Sequence, residues 1–238
     1  MSKYLDRFSP RRKHLTQRLK MMRGRINQLE SELKHHTEKH YRVCIFGSAR
    51  IQPDDENFKM TYDLAYLLGT AGIDVLTGGG PGLMEAGNKG VQDGRAAADS
   101  RSISFGLSIE LGNLEEPSEH LDIKHHHKRF SSRLDDFMRL SNAIIVTPGG
   151  IGTLLELYFS WQLLQVAHMT ERPIILIHSE FWKGLIDWMK EQQLGNGLVS
   201  ESDFRFLHLV DTPKEAHAII MKEYQKFKDT KNLPNETD

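Results

Sequence analysis

Apolar residues in this chain fall into two alternating patterns. Short, nearly unbroken runs occur at Arg42–Ala49 (RVCIFGSA), Ile73–Thr77, Ser102–Ile109, Leu121–His127, Asn142–Val146, Pro173–His178 (PIILIH) and Phe206–Val210. Runs of that length without polar alternation read as buried strands. Between them lie stretches of helical period: Asp54–Thr70, Leu83–Gln92, Phe130–Ser141, Thr153–His168, Phe181–Gln193 and Pro213–Phe227. In the first, Phe58, Tyr62, Ala65 and Leu68 share a face and Gly72 stops the helix. The last begins on a proline, which suits a first helical turn. Strands alternating with helices predict an α/β class fold, a Rossmann-like doubly wound, mainly parallel sheet flanked by helices.

Residues 1–40 follow a different rule. Leu15, Leu19, Met22, Ile26, Leu29 and Leu33 are spaced 4, 3, 4, 3 and 4 apart, a heptad stripe with Arg, Lys, Gln and Glu on the other faces. This predicts an N-terminal helical extension, either an amphipathic helix on the protein's own surface or a short coiled coil between subunits. The division expected is a helical arm over 1–40, a Rossmann-like α/β domain over 41–228 and a polar tail over 229–238.

Charge sharpens that division. The formal net charge is −1, but residues 1–40 hold 11 Lys/Arg and 4 Asp/Glu, a net of +7, so the remaining residues carry −8. A basic arm admits nucleic acid as a third reading, although such clusters are usually solvated faces. Nucleic acid is not the partner expected. The single cysteine, Cys44, lies in an apolar run and reads as a small core residue in a reducing compartment. No segment approaches the roughly 20 apolar residues of a membrane span. The charged N-terminus lacks the apolar run of a signal peptide. A cytoplasmic protein is expected.

Chemistry concentrates where strands end. Asn142–Val146 runs into Pro148-Gly149-Gly150, and the chain resumes as helix from Thr153. Strand, glycine turn and helix start together build an anion site, because glycines let backbone N–H groups approach a ligand and the helix start carries partial positive charge. A plain tight turn is the alternative. A second cluster, Gly78-Gly79-Gly80-Pro81-Gly82, follows Ile73–Thr77, and Gly47-Ser48 closes the first run. In parallel sheets the ligand lies beyond the carboxyl ends of strands, so all three loops share one rim. None is GxGxxG with an acid about twenty residues on, and none is GxxxxGK[ST].

GGGPGLMEA at Gly78–Ala86, with PGGIGTLLE at Pro148–Glu156, resembles the LONELY GUY (LOG) family of nucleoside 5′-monophosphate phosphoribohydrolases that activate cytokinins. Every fixed position of the family pattern PGGxGTxxE is matched. The family's arginine, fifteen residues before the motif's proline, has its counterpart in Arg133; the lysine that usually follows is Leu134 here. Gly106–Leu111 (GLSIEL) and the Gly47-Ser48 strand are similar too, and the likeness spans roughly residues 42–210.

The resemblance implies hydrolysis of the N-glycosidic bond of a nucleoside 5′-monophosphate, of AMP or cytokinin riboside monophosphate type, to free base and ribose 5-phosphate. It assigns catalysis to Arg133 and Glu156. Phosphate and substrate binding would fall to Gly47, Ser48, Gly79, Gly80, Gly82, Pro148, Gly149, Gly150, Gly152 and Thr153. Glu85 is either a ribose contact or a helix-start charge. Taken singly, Glu156 would be a charge favouring the helix dipole, worth about 0.3–1 kcal/mol, and Arg133 a surface ion pair. Leu134 would remove one cation from the site. Glu110, Glu115 and Glu116 lie where the family places a substrate-contacting acid.

His125-His126-His127 draws attention to metal, but in a strand only His125 and His127 share a face, and no second ligand cluster is evident in the sequence. No metal and no cofactor are expected. A rim role toward an anionic substrate, with Lys128, is the other reading, and Phe130 is placed either to stack on a base or to pack in the core. Relatives of this fold have been labelled lysine decarboxylases, yet no lysine here stands in a context for a pyridoxal phosphate Schiff base. The non-catalytic alternative is a nucleotide or phosphorylated-cofactor sensor or carrier, as in molybdenum-cofactor carriers. The resemblance further implies a homodimer or larger homo-oligomer.

Overall fold

The computed structural model describes residues 15–22, 40–109 and 118–232. The chain divides into two units, Met1–His40 and Tyr41–Asp238. In the first, residues 15–22 are helical, and Leu15, Leu19 and Met22 of the apolar stripe are exposed. Ile26, Leu29 and Leu33 lie outside the described residues, as do Glu110, Glu115 and Glu116.

The second unit runs β1 (Arg42–Phe46), α1 (Glu56–Thr70), β2 (Asp74–Thr77), α2 (Leu83–Ala98), β3 (Ser104–Ile109), β4 (Ile123–His127), α3 (Phe130–Leu140), β5 (Ala143–Val146), α4 (Ile151–Gln165), β6 (Ile174–Ile177), α5 (Ser179–Trp188), β7 (Leu207–Val210) and α6 (Pro213–Asn232). The seven strands form one sheet in the order β4-β3-β2-β1-β5-β6-β7. Every pairing is parallel, so the sheet is wholly rather than mainly parallel.

Alternation along the central strands sends side chains into two cores. Cys44 and Phe46 of β1, Ile144 and Val146 of β5, and Ile174 and Leu176 of β6 pack with Phe137, Leu157, Trp161 and Trp182 from α3, α4 and α5. Val43, Ile45, Ala143, Ile145, Ile175 and Ile177 pack on the other face with Leu64, Leu68, Val91 and Ile220 from α1, α2 and α6. Cys44 is fully buried and its thiol is pushed well up by burial, which makes it a core residue and not a nucleophile. No helix among the described residues is long and apolar enough to cross a membrane.

Several boundaries differ from the sequence reading, three of them at helix C-terminal ends. α2 continues to Ala98 instead of stopping at Gln92. Its glycines lower helix propensity, but they permit close packing on α1: a Cβ on Gly90 would stand 2.4 Å from the Tyr62 carbonyl oxygen, and one on Gly94 2.1 Å from that of Tyr66. The helix expected over Phe181–Gln193 ends at Trp188 and gives way to a π-helical segment, Met189–Leu194. α6 runs to Asn232, so residues 229–232 of the expected tail are helical.

Candidate active site

The strand order reverses between β1 and β5, and the carboxyl ends of these two strands carry Gly47-Ser48 and Pro148-Gly149-Gly150. Parallel α/β sheets bind ligands at such a switch point. The loops there are stitched together. Ser48 N–H donates to the Pro148 carbonyl (3.2 Å), and Leu83 N–H, at the start of α2, donates to the Ser48 carbonyl (2.9 Å). A Cβ on Gly47 would lie 2.1 Å from Thr147 Oγ1, and one on Gly82 2.5 Å from the Ser48 carbonyl oxygen, so these two glycines serve loop contact. Gly82 also holds φ at +68°, a conformation that favours glycine.

The Gly78–Gly82 turn is pinned from below. Gly79 N–H donates to Thr77 Oγ1 (2.9 Å), Thr77 Oγ1 donates to Asn88 Oδ1 (2.7 Å), and Asn88 Nδ2 donates to Ser104 Oγ (2.9 Å). All three side chains are buried. The sequence reading passed over Thr77 and Asn88, because single polar residues in apolar elements carry no pattern.

α4 begins at Ile151, two residues earlier than expected, with Gly150 as its N-cap and no side-chain hydrogen bond closing that end. Its opening N–H groups therefore face the rim without a side-chain cap. This earlier start places Glu156 in the second turn rather than the first.

A cavity of about 780 Å³ opens above these loops. Of the residues expected to bind, Gly47, Ser48, Gly79, Gly80, Gly150, Gly152 and Thr153 line it, together with Arg133 and Glu156. Gly82, Glu85, Pro148 and Gly149 are not among its lining residues. Gly149 instead packs on Thr153, where a Cβ would meet Oγ1 at 2.2 Å. Glu85 is half-buried on the first turn of α2. Leu134 is buried and does not line the cavity, so this position takes no cation from the wall.

Arg50, Ser108, Lys124 and His126 line the cavity and were missed or misplaced. Lys124 and His126, two residues apart on β4, face it together, and Ser108 Oγ lies 3.1 Å from His126 Nδ1. Lys128, expected to share the rim role, is not a lining residue, and neither is Phe130, which is exposed and so stands outside the core as well. The signal missed was strand parity on a polar edge strand.

Arg133 and Glu156 meet at the wall, each side chain 14% exposed, with Arg133 Nη1 3.9 Å from Glu156 Oε1. Arg133 is fixed by its Nε–H bond to the Leu107 carbonyl (2.7 Å) and by the Phe137 ring, 5.1 Å from its guanidinium carbon. Gly78 makes room for it: a Cβ there would lie 2.3 Å from Arg133 Nη2. At 3.9 Å the ion pair is too long for a hydrogen bond, so the carboxyl keeps its acceptor positions toward the cavity. Burial pushes the Glu156 carboxyl up from 4.5 to about 7, and the Arg133 charge offsets only part of that rise. A group poised there can take or hold a proton near neutral pH.

Gly150 and Gly152 differ from their neighbours in having open space where a Cβ would stand. Their lack of a side chain is not demanded by packing, which suits backbone approach to a ligand. Alanine at either position is expected to leave thermal stability near that of the parent while weakening nucleotide binding by about tenfold or more, the scale of one lost charge-assisted hydrogen bond of about 1.5–3 kcal/mol. Gly47→Ala is expected to destabilise by about 1–3 kcal/mol through overpacking. Thermal denaturation and nucleotide titration of the three variants check this; parent-like binding by Gly152→Ala would contradict the cradle.

A family model described as "Possible lysine decarboxylase" matches residues 84–220, more than half of the chain. The chain is 35% identical over 95 residues to a pyrimidine/purine nucleotide 5′-monophosphate nucleosidase of Escherichia coli (strain K12), a match covering 39% of this chain and 21% of that protein. The chain thus spans about a fifth of the length of that relative. It is 29% identical over 184 residues to a probable cytokinin riboside 5′-monophosphate phosphoribohydrolase of Oryza sativa subsp. japonica, covering 73% of this chain and 80% of that protein. Among solved structures, a molybdenum cofactor binding protein from Rippkaea orientalis superposes with a TM-score of 0.56 at 19% identity, covering 77% of this chain and 96% of that one. At that identity the likeness bears on the fold alone.

Proposed function

This chain belongs to the family whose model is described as possible lysine decarboxylase, the LOG family, and from that premise we propose that it hydrolyses the N-glycosidic bond of a nucleoside 5′-monophosphate to free base and ribose 5-phosphate. The observation that carries the reading is a buried carboxyl, Glu156, held near neutral pH in a cavity whose rim is otherwise built for anions. The 5′-phosphate sits on the N–H groups at the start of α4 and on the Gly79–Gly80 turn. That anchor fixes the ribose above Glu156, and its binding energy is realised at the anomeric carbon. As the C1′–N bond breaks, its electron pair leaves with the base and positive charge grows on the sugar ring. The Glu156 carboxylate stabilises that charge and takes a proton from the water that adds to C1′. Arg133 stabilises the negative charge on the departing base, which takes up the proton that Glu156 removed from the water, so free base and ribose 5-phosphate are released and Glu156 returns to its carboxylate.

A pure carrier of an anion gains nothing from such a carboxylate, which repels a bound phosphate. This argues against the sensor or carrier reading. Decarboxylation, named in the family description, finds no support in the residues: Lys124, the lysine on the cavity wall, is exposed, and a Schiff-base lysine needs a desolvated amine. The experiment is incubation with AMP, GMP, CMP and isopentenyladenosine monophosphate, with detection of free base. No release from any of them, with tight nucleotide binding, would move the reading to the carrier.

A second copy of the chain belongs to the same proposal. α4 turns Leu157, Trp161 and Leu164 into the core, yet Ile151 is 88% exposed and Leu155, beside Glu156, is 46% exposed. An apolar helix with an uncovered outer face suits an interface. Light scattering is expected to give a dimer for the parent and a monomer for Leu155→Arg. A monomeric parent would remove this part of the reading.

A further inference from the structure

Strand parity splits the histidine run. Lys124 and His126 line the cavity, so His125 and His127 lie on the other face of β4, where their rings stand 4.6 Å apart. There α3 contributes a third group that the sequence did not reveal. Asp136, three residues beyond Arg133, brings its carboxylate within 4.8 Å of ligand atoms on both histidines.

The proton inventory of this cluster leaves a gap. Ser132 Oγ donates its one hydrogen to the Arg129 carbonyl (3.1 Å), so its lone pair accepts from His127 Nδ1–H (3.2 Å). That places the lone pair of Nε2 on the opposite side of the ring. Nε2 is buried, has no hydrogen-bond partner among the described residues and faces Asp136 Oδ2 at 3.5 Å. His127 itself is 5% exposed. Arg139 occupies only the other oxygen of Asp136, Oδ1, through Nε (3.1 Å) and Nη2 (2.8 Å). A ring lone pair and a carboxylate lone pair therefore point at each other, an arrangement that a cation between them resolves. A metal-bound histidine that donates its second ring N–H to a neighbouring oxygen shows the same pattern.

We propose that His127 Nε2, Asp136 Oδ2 and His125 form a divalent transition-metal site of zinc type between β4 and α3. Two imidazoles and one carboxylate suit Zn²⁺, with water as the fourth ligand. Tetrahedral coordination at the usual bond lengths of about 2.0–2.2 Å holds ligand atoms roughly 3.3 Å apart, so the cluster closes inward on binding. His125, exposed on the edge strand, supplies that movement and the entry path. The ion lies on the face of β4 turned away from the cavity and takes no part in bond cleavage. It clamps the edge strand to the helix that carries Arg133.

Metal-free full-length protein is titrated with Zn²⁺ by calorimetry and with Co²⁺ by visible absorption. The parent is expected to bind one equivalent that His125→Ala and Asp136→Asn each weaken by at least about tenfold, with Co²⁺ bands of a low-coordinate nitrogen–oxygen site lost in both. Zn²⁺ raises the melting temperature of the parent and not of His125→Ala, whose exposed ring is dispensable for folding. His14, His35, His36 and His40 of the arm are present in all three proteins, so the difference between them reads this cluster alone. Identical titrations in parent and variants, or no metal-dependent heat in the parent, would overturn the site.

Discussion

Glu156→Gln is expected to lower base release from a nucleoside monophosphate by about 10²–10⁴-fold, the range of a positioned acid–base group, while nucleotide binding stays as tight or tightens. Glutamine keeps the size of the side chain and removes the charge that opposes the phosphate and stabilises the sugar cation. In the parent, the carboxylate is the working form, so kcat/KM rises with pH and is half-maximal near 7, where burial has moved the Glu156 carboxyl. The substrate phosphate loses its second proton at about pH 6, below this limb. Unchanged turnover in Glu156→Gln would remove the carboxylate from the mechanism.

The same shift has a cost in stability, and its sign is fixed. The folded protein keeps a proton on Glu156 from 4.5 up to about 7, where the unfolded chain has already lost it. Unfolding releases protons in that window, so stability from this group is full below 4.5 and lost as pH rises through about 7. The loss is at most about 3 kcal/mol. Glu156→Gln lacks this slope, so its stability relative to the parent improves between pH 5 and pH 8.

Arg133→Gln is expected to cost about 10²–10³-fold in kcat/KM, the scale of one lost transition-state donor, and to move the acid limb above 7. The shift follows because Arg133 is the charge that lowers the Glu156 carboxyl against burial. Arg133→Lys restores a charge but not the Nε–H bond to the Leu107 carbonyl that aims the guanidinium, so it recovers the limb better than the rate. A pH profile unchanged in Arg133→Gln would separate the two residues and contradict the proposed pairing.

Much of this was legible in residues. β1, β5 and β6 are buried on both faces and read as unbroken apolar runs. The glycine loops stand out because they follow such runs. Other features were hidden for physical reasons. Gly94 hides the length of α2 beyond Gln92, since propensity counts against it and helix packing overrides it. Gly150 and Gly152 hide the start of α4, because glycine propensity counts against a helix there and no side-chain cap marks its end. A short 3₁₀ turn, Glu201–Phe206, carries a Ser200–Asp203 capping box that the sequence contains and the reading omitted. Lys124 and His126 sit on a polar edge strand, where no apolar pattern marks the inward face. Arg133 and Glu156 are assigned through the family resemblance and not through spacing, since 23 residues separate them in the chain.

The most direct measurement is a product balance for the parent protein with AMP and isopentenyladenosine monophosphate. Free base and ribose 5-phosphate in equal amounts, without inorganic phosphate, is the result the mechanism requires. Nucleotide recovered intact from a stoichiometric complex, or nucleoside released together with phosphate, would contradict it.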